Sequence, residues 1–124
     1  MNHAEHNEQA ALFHWAALME RKHPELALMY AIPNAARRSP RQGAWMKAEG
    51  MKAGVPDVHL PVARGRYTGL WIEMKAGKNK PTPEQRRRMD ALDAEGHLCV
   101  VCYFWRDAAA VIEKYLSVAK KGEE

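Results

Sequence analysis

The chain has little from which to build a staple, an anchor or a second domain. Its 124 residues hold two cysteines, too few for a disulfide framework, and both lie in the apolar run Leu98-Cys99-Val100-Val101-Cys102-Tyr103-Phe104. Residues three apart on a strand face opposite sides, so these thiols neither pair nor share a metal. No second C-x-x-C is present to complete a zinc site. No apolar run approaches the roughly 18 residues that span a bilayer. The opening Met1-Asn2-His3-Ala4-Glu5 lacks the basic and apolar regions of a secretion signal, and the expected address is the cytoplasm. Internal repeats, low-complexity tracts and interdomain linkers are also missing. The expectation is one domain over residues 1–124, frayed from about residue 119, with no room for a separate recognition domain.

What the chain does have is 47% hydrophobic residues, enough for a folded globule, and a modest basic excess. A formal charge of +4 and a pI near 9.2 permit a polyanionic partner without demanding one. Distribution therefore matters more than the total. Arg37, Arg38, Arg41, Lys47 and Lys52 form one basic group, and Lys78, Lys80, Arg86, Arg87 and Arg88 a second.

Periodicity predicts a helix from about Glu5 to Lys22, with Leu12, Trp15, Ala16 and Met19 at helical spacing and Pro24 beyond its end. Leu26–Ile32 reads as a strand, and Gln42–Lys52 as a short helix stopped by Gly54 and Pro56. Strands follow at Asp57–Leu60 and Thr68–Lys75, with Ala63–Thr68 as the turn between them. Thr82 as N-cap, Pro83 at the first helical position and Gln85 completing a capping box open a helix that ends before Gly96. A strand at Leu98–Phe104 and a helix at Asp107–Val118 complete the order. Helices interleaved with strands predict an α/β fold, a mixed sheet flanked by helices.

Between the two basic groups stand Gly54-Val55-Pro56-Asp57, then fifteen residues, then Glu73-Met74-Lys75. Side chains two apart on a strand share a face, so Glu73 and Lys75 point one way while Leu70, Ile72 and Met74 point the other. A hairpin would set Asp57 beside Glu73. Two acids and a lysine are a minimal kit for metal-dependent phosphodiester cleavage. Carboxylates hold a divalent ion that lowers the pKa of bound water, and the lysine orients that water or offsets developing negative charge. Flanking such a site, Arg37, Arg38, Arg41, Lys47, Lys78 and Lys80 are candidate phosphate contacts.

Pro-Asp followed by Glu-x-Lys resembles the signature of the PD-(D/E)xK nuclease superfamily. With Gly-x-Pro-Asp, Gln85 ten residues past Lys75, and Glu5-x-x-x-Gln9 at the start, the chain is similar to the virus-type replication-repair nuclease (VRR-NUC) branch from Glu5 to about Tyr115. The resemblance implies a restriction-endonuclease-like core. It implies Mg²⁺ or Mn²⁺ held by Glu5, Asp57, Glu73 and the backbone carbonyl of Met74, with Lys75 and Gln85 completing the catalytic set and Gln9 supporting it from behind. It further implies cleavage of DNA, branched DNA such as four-way junctions for stand-alone members, by a symmetric homodimer encoded by a bacterium or phage. Trp45 and Trp105 are the aromatic candidates for a dimer contact, with core packing as the competing role.

Other readings of the same residues stay open. Glu8 competes with Glu5 as the carboxylate of the first helix, although Glu5 has the matching spacing to Gln9. Gln85 has a capping role, and Glu73 with Lys75 could be a solvent-facing charge pair. His59, two residues after Asp57, shares its face and is left outside the metal set. At the level of the whole chain, a non-catalytic DNA-binding module on the nuclease fold is the main alternative. A small-molecule-binding α/β domain is the third.

Overall fold

A computed structural model describes residues 3–33 and 39–123. Helix α1 spans His3–Met19. Pro24 then opens a five-residue 3-10 turn, Pro24–Leu28, and strand β1 is only Tyr30–Ala31. The longer strand expected over Leu26–Ile32 is corrected by this turn. Leu26 and Met29 are both buried at a spacing of three, while Leu28 and Tyr30 between and beyond them are exposed. That is the period of a tight helical turn, not the alternation of a strand.

Helix α2, Pro40–Ala48, starts two residues before its expected position because Ser39 and Gln42 form a capping box around Pro40. None of its residues is buried. Strands β2 (Val58–Leu60) and β3 (Leu70–Met74) follow, then α3 (Pro83–Ala94), β4 (Leu98–Cys102) and α4 (Trp105–Leu116). The sheet runs β1-β2-β3-β4, antiparallel across its first two pairs and parallel across β3 and β4.

On one face of the sheet Val58, Leu60, Leu70, Ile72 and Met74 meet Leu12 and Ala16 of α1 and Ala108, Ile112 and Tyr115 of α4. The Tyr115 hydroxyl donates to Val62 O at 2.6 Å across this layer. Helix α3 covers the other face against β4. The mixed sheet flanked by helices is the architecture expected from the pattern of elements.

Helix α4 begins at Trp105, two residues earlier than expected, because a carboxylate from α1 reaches it: Glu8 Oε1 accepts from the Trp105 N–H at 2.8 Å. The chain after α4 is tied back as far as residue 120, with Gly65 N–H donating to Ala119 O at 2.8 Å and a bridge from Gly65 to Lys120. Cys99 and Cys102 are both free thiols on β4, and burial pushes each up to about 11. Among the described residues no helix is long and apolar enough to cross a membrane.

Candidate active site

The β2–β3 register pairs Val58 with Ile72, which leaves Asp57 one step further on, level with Glu73. Asp57 is fixed there by its own Oδ2, which accepts from the Met74 N–H at 2.9 Å. Alternation along β3 does the rest. Leu70, Ile72 and Met74 enter the core, and Glu73 and Lys75 emerge on the opposite face at 2% and 9% exposure. Lys75 Nζ stands 3.5 Å from Glu73 Oε2.

Gln85 joins this group from the first turn of α3. Its Oε1 accepts from the Thr82 N–H at 2.8 Å and its Nε2 donates to Glu73 Oε2 at 3.2 Å. The capping box and the contact with the site are therefore made by one side chain at once, one role per amide atom. Gly54 explains how α3 comes so close. Its φ is +80°, and a Cβ there would lie 2.9 Å from Glu84 O and 3.0 Å from Glu84 C, both backbone atoms. Only glycine supplies both the positive φ and the room.

The two acids pay a large desolvation cost. Burial first, and then the charge of Asp57, push Glu73 up to about 8 from 4.5, with Lys75 pulling the other way. Asp57 is raised by burial, opposed first by the Met74 N–H and then by its neighbours Glu73 and Lys75. Glu73 Oε1 is buried and has no hydrogen-bond partner. A carboxylate oxygen in that position calls for a proton or a cation.

The two acids of α1 stand in different surroundings. Glu8 is committed to the start of α4 through Trp105. Glu5, one turn earlier and 7% exposed, acts on Asp57 through its charge. Gln9 is half-buried, and its Oε1 has no hydrogen-bond partner. Among the described residues no three His, Cys, Asp or Glu side chains converge into a metal-binding group, so Glu5 is not drawn into a closed cluster with Asp57 and Glu73. The side chain of Met74 is core, and its N–H is taken by Asp57.

Asp57 and Gln85 line a cleft of about 650 Å³ whose opposite wall is one face of α2, Pro40, Gly43, Ala44 and Lys47, with Lys52 beyond it. Arg41 lies on the other side of α2, sharing a shallow surface depression with Trp45, which is 67% exposed. Lys78 and Lys80 are exposed in the loop before α3, where Asn79 O accepts from the Tyr103 hydroxyl at 2.8 Å. Arg37 and Arg38 lie outside the described residues. Lys52 lines the cleft although its spacing alone gave no reason to prefer it over the other lysines.

His59 is occupied elsewhere. Its ring stacks on Trp71 at 3.8 Å between centroids, and its Nδ1 is bonded to the Tyr30 hydroxyl at 2.7 Å. Trp71 Nε1 in turn donates to His97 Nδ1 at 3.1 Å. This ladder ties β1, β2 and β3 together on the face that carries the acids. Alternation places Trp71 and His59 on that face, but their stacking was not legible from spacing.

An acid at the start of one strand, Glu-x-Lys on its antiparallel neighbour, and helices on both faces of a mixed sheet define an α/β nuclease-like fold. The chain belongs to the VRR-NUC family: the model of the VRR-NUC domain matches residues 1–105. A solved structure titled VRR_NUC domain protein is similar over 97% of this chain and 93% of its own length, with 29% sequence identity and a TM-score of 0.79. A search of curated proteins gives no match. The family is one of nucleases, which generally use divalent metal ions and take DNA as substrate.

Proposed function

We propose that the chain is a metal-dependent endodeoxyribonuclease of the cytoplasm that hydrolyses phosphodiester bonds in branched DNA, four-way junctions included, as a symmetric homodimer. The pair of half-buried Asp57 and buried Glu73 carries the catalytic half of this reading. Glu73, raised by burial and by the charge of Asp57 and left with a buried, unpartnered oxygen, fits a cation held between the two carboxylates. Hard oxygen donors suit Mg²⁺ or Mn²⁺ rather than zinc, and Mg²⁺ commonly takes only one or two protein carboxylates beside the phosphates of its substrate.

Asp57 and Glu73 would hold the ion, with Glu5 and the Met74 carbonyl completing its surroundings. The bound ion supplies polarisation of the phosphoryl oxygen and a water of lowered pKa. Lys75, placed beside Glu73, holds the attacking water and offsets negative charge as it develops on the phosphate. Gln85 keeps Glu73 in its rotamer, and Gln9 supports the group from α1. Lys47 and Lys52, which line the cleft, would grip the DNA backbone, with Arg37, Arg38, Arg41, Lys78 and Lys80 as further phosphate contacts.

The exposure of Trp45 supports its part in a contact between two copies, whereas Trp105 packs against the core. A two-fold pair would present two identical sites to strands related by the symmetry of a junction. Cleavage of single strands, duplexes, flaps and four-way junctions, with and without Mn²⁺, tests the reading, alongside light scattering at micromolar concentration. Metal-dependent cutting lost in Asp57→Ala supports it. Salt-sensitive binding with no cutting of any substrate would replace it with a non-catalytic DNA-binding module.

A further inference from the structure

Phe104 is 62% exposed and stands at the N-cap of α4, where it makes no side-chain cap hydrogen bond. Both facts run against local stability. Ser, Thr, Asp or Asn at an N-cap satisfies a helix N–H, typically worth about 1 kcal/mol, and an exposed ring gains little from burial. The missing cap arrives from α1 instead, through Glu8 and the Trp105 N–H. The fold thus supplies a distant carboxylate at a position where the local residue is an outward phenyl ring.

Its place relative to the site is set by the sheet. Strands β3 and β4 pair Glu73 with Val101 and Met74 with Cys102, and the Lys75 N–H donates to Cys102 O at 2.9 Å. Phe104 follows Cys102 by two residues, at most about 7 Å of chain. Tyr103, between them, holds the loop that carries Lys78 and Lys80. Arg106 follows, its guanidinium over the Trp105 ring. On the α1 side Glu8 lies one turn from Glu5, whose charge acts on Asp57. The ring therefore stands on the rim where α1 and the ends of β3 and β4 meet, with Arg106 two residues on and the loop of Lys78 and Lys80 tied to the neighbouring Tyr103.

An exposed aromatic among cations beside a phosphodiester site is how proteins hold unpaired nucleic acid: the cations follow the phosphates and the ring stacks on a base. A base inside a duplex is already stacked on both faces. We propose that Phe104 stacks on the base of an unpaired nucleotide next to the scissile phosphate, and so sets a preference for DNA that is single-stranded or splayed at the cut. This rests on the nuclease reading above and adds to it a specificity-determining residue.

The test uses the full chain, its Phe104→Ala and Phe104→Trp variants, and one DNA sequence presented unpaired and fully paired, with 2-aminopurine beside the cut. Stacking is worth about 1–3 kcal/mol per base, so Phe104→Ala should lower the unpaired-to-paired ratio of kcat/KM by about fivefold or more. The loss should fall in KM, Phe104→Trp should restore the ratio, and thermal stability should be unaltered. Quenching of 2-aminopurine on binding should vanish in Phe104→Ala. Equal losses on both substrates, or quenching that survives the Ala variant, would overturn the inference. If the wild-type chain cuts neither of these substrates nor a flap or four-way junction, the nuclease reading fails, and the quenching in the binding experiment still decides the stacking.

Discussion

Removing divalent metal should make this fold less stable as pH rises, the reverse of what ordinary surface carboxylates do. Glu73 is 2% exposed and raised from 4.5 to about 8 by burial and by Asp57. A group whose folded pKa is raised keeps its proton in the folded state while the unfolded chain has released it. Its contribution is fully present below pH 4.5 and is lost as pH climbs through about 8. Inside that window one extra proton is bound by the folded state, so stability falls by about 1.4 kcal/mol per pH unit. Between pH 6.5 and 8 the loss is therefore roughly 2 kcal/mol, or about 6–10 °C in Tm for a domain of this size.

That range is chosen because His59, lowered by burial, works in the opposite sense below 6.5, and the thiols respond only above 9. Thermal unfolding in a chelator at several pH values, for wild type and Glu73→Gln, measures the effect. The wild-type Tm should fall and the variant's should stay nearly level. Mn²⁺ at one hundred times its Kd should then return about 2.7 kcal/mol to the wild type at pH 8, and much less to the variant. A flat wild-type profile, or an equal fall in Glu73→Gln, would refute the account of the pair.

Three further outcomes follow from the geometry. Lys75→Ala should lose cleavage yet keep Mn²⁺ binding by calorimetry, whereas Asp57→Ala should lose both, because only the carboxylates offer oxygen to the ion. Gly54→Ala should cost about 1–3 kcal/mol from backbone strain alone. It should also lower kcat by shifting the first turn of α3, which denaturant midpoints and initial rates would separate. Replacing Arg41, Lys47, Lys78 and Lys80 together should flatten the dependence of DNA affinity on salt, whose log–log slope is about −0.9 per duplex phosphate neutralised, while an unchanged slope would mark these cations as solvated surface.

How much could be read without coordinates depended on whether the signal was local. The alternation of Leu70, Ile72, Glu73, Met74 and Lys75 is a property of a strand alone, and it assigned both faces of β3. The capping box at Thr82 and Gln85 is equally local, and it located the start of α3 within one residue. The segment from Pro24 to Ile32 misled because a run of apolar residues carries no visible period. Its turn is defined by which side chains are buried, and tertiary packing decides that. The start of α4 was beyond reach for a different reason: its cap is Glu8, 97 residues away from Trp105. The same holds for the surroundings of Glu5 and Glu8, which depend on what lies opposite each of them.

The two bonds of Gln85 impose unequal demands on the residue at that position. Its Oε1 takes the Thr82 N–H and its Nε2 gives a proton to Glu73. As a helix cap, Glu would serve as well as Gln, because a capping box asks only for an acceptor. Beside Glu73 a third carboxylate would repel rather than donate. A screen scored by folding should therefore accept Gln85→Glu, and a screen scored by cleavage should reject it. Such a split between what the fold tolerates and what the site tolerates marks a position where two selections act through separate atoms of one side chain.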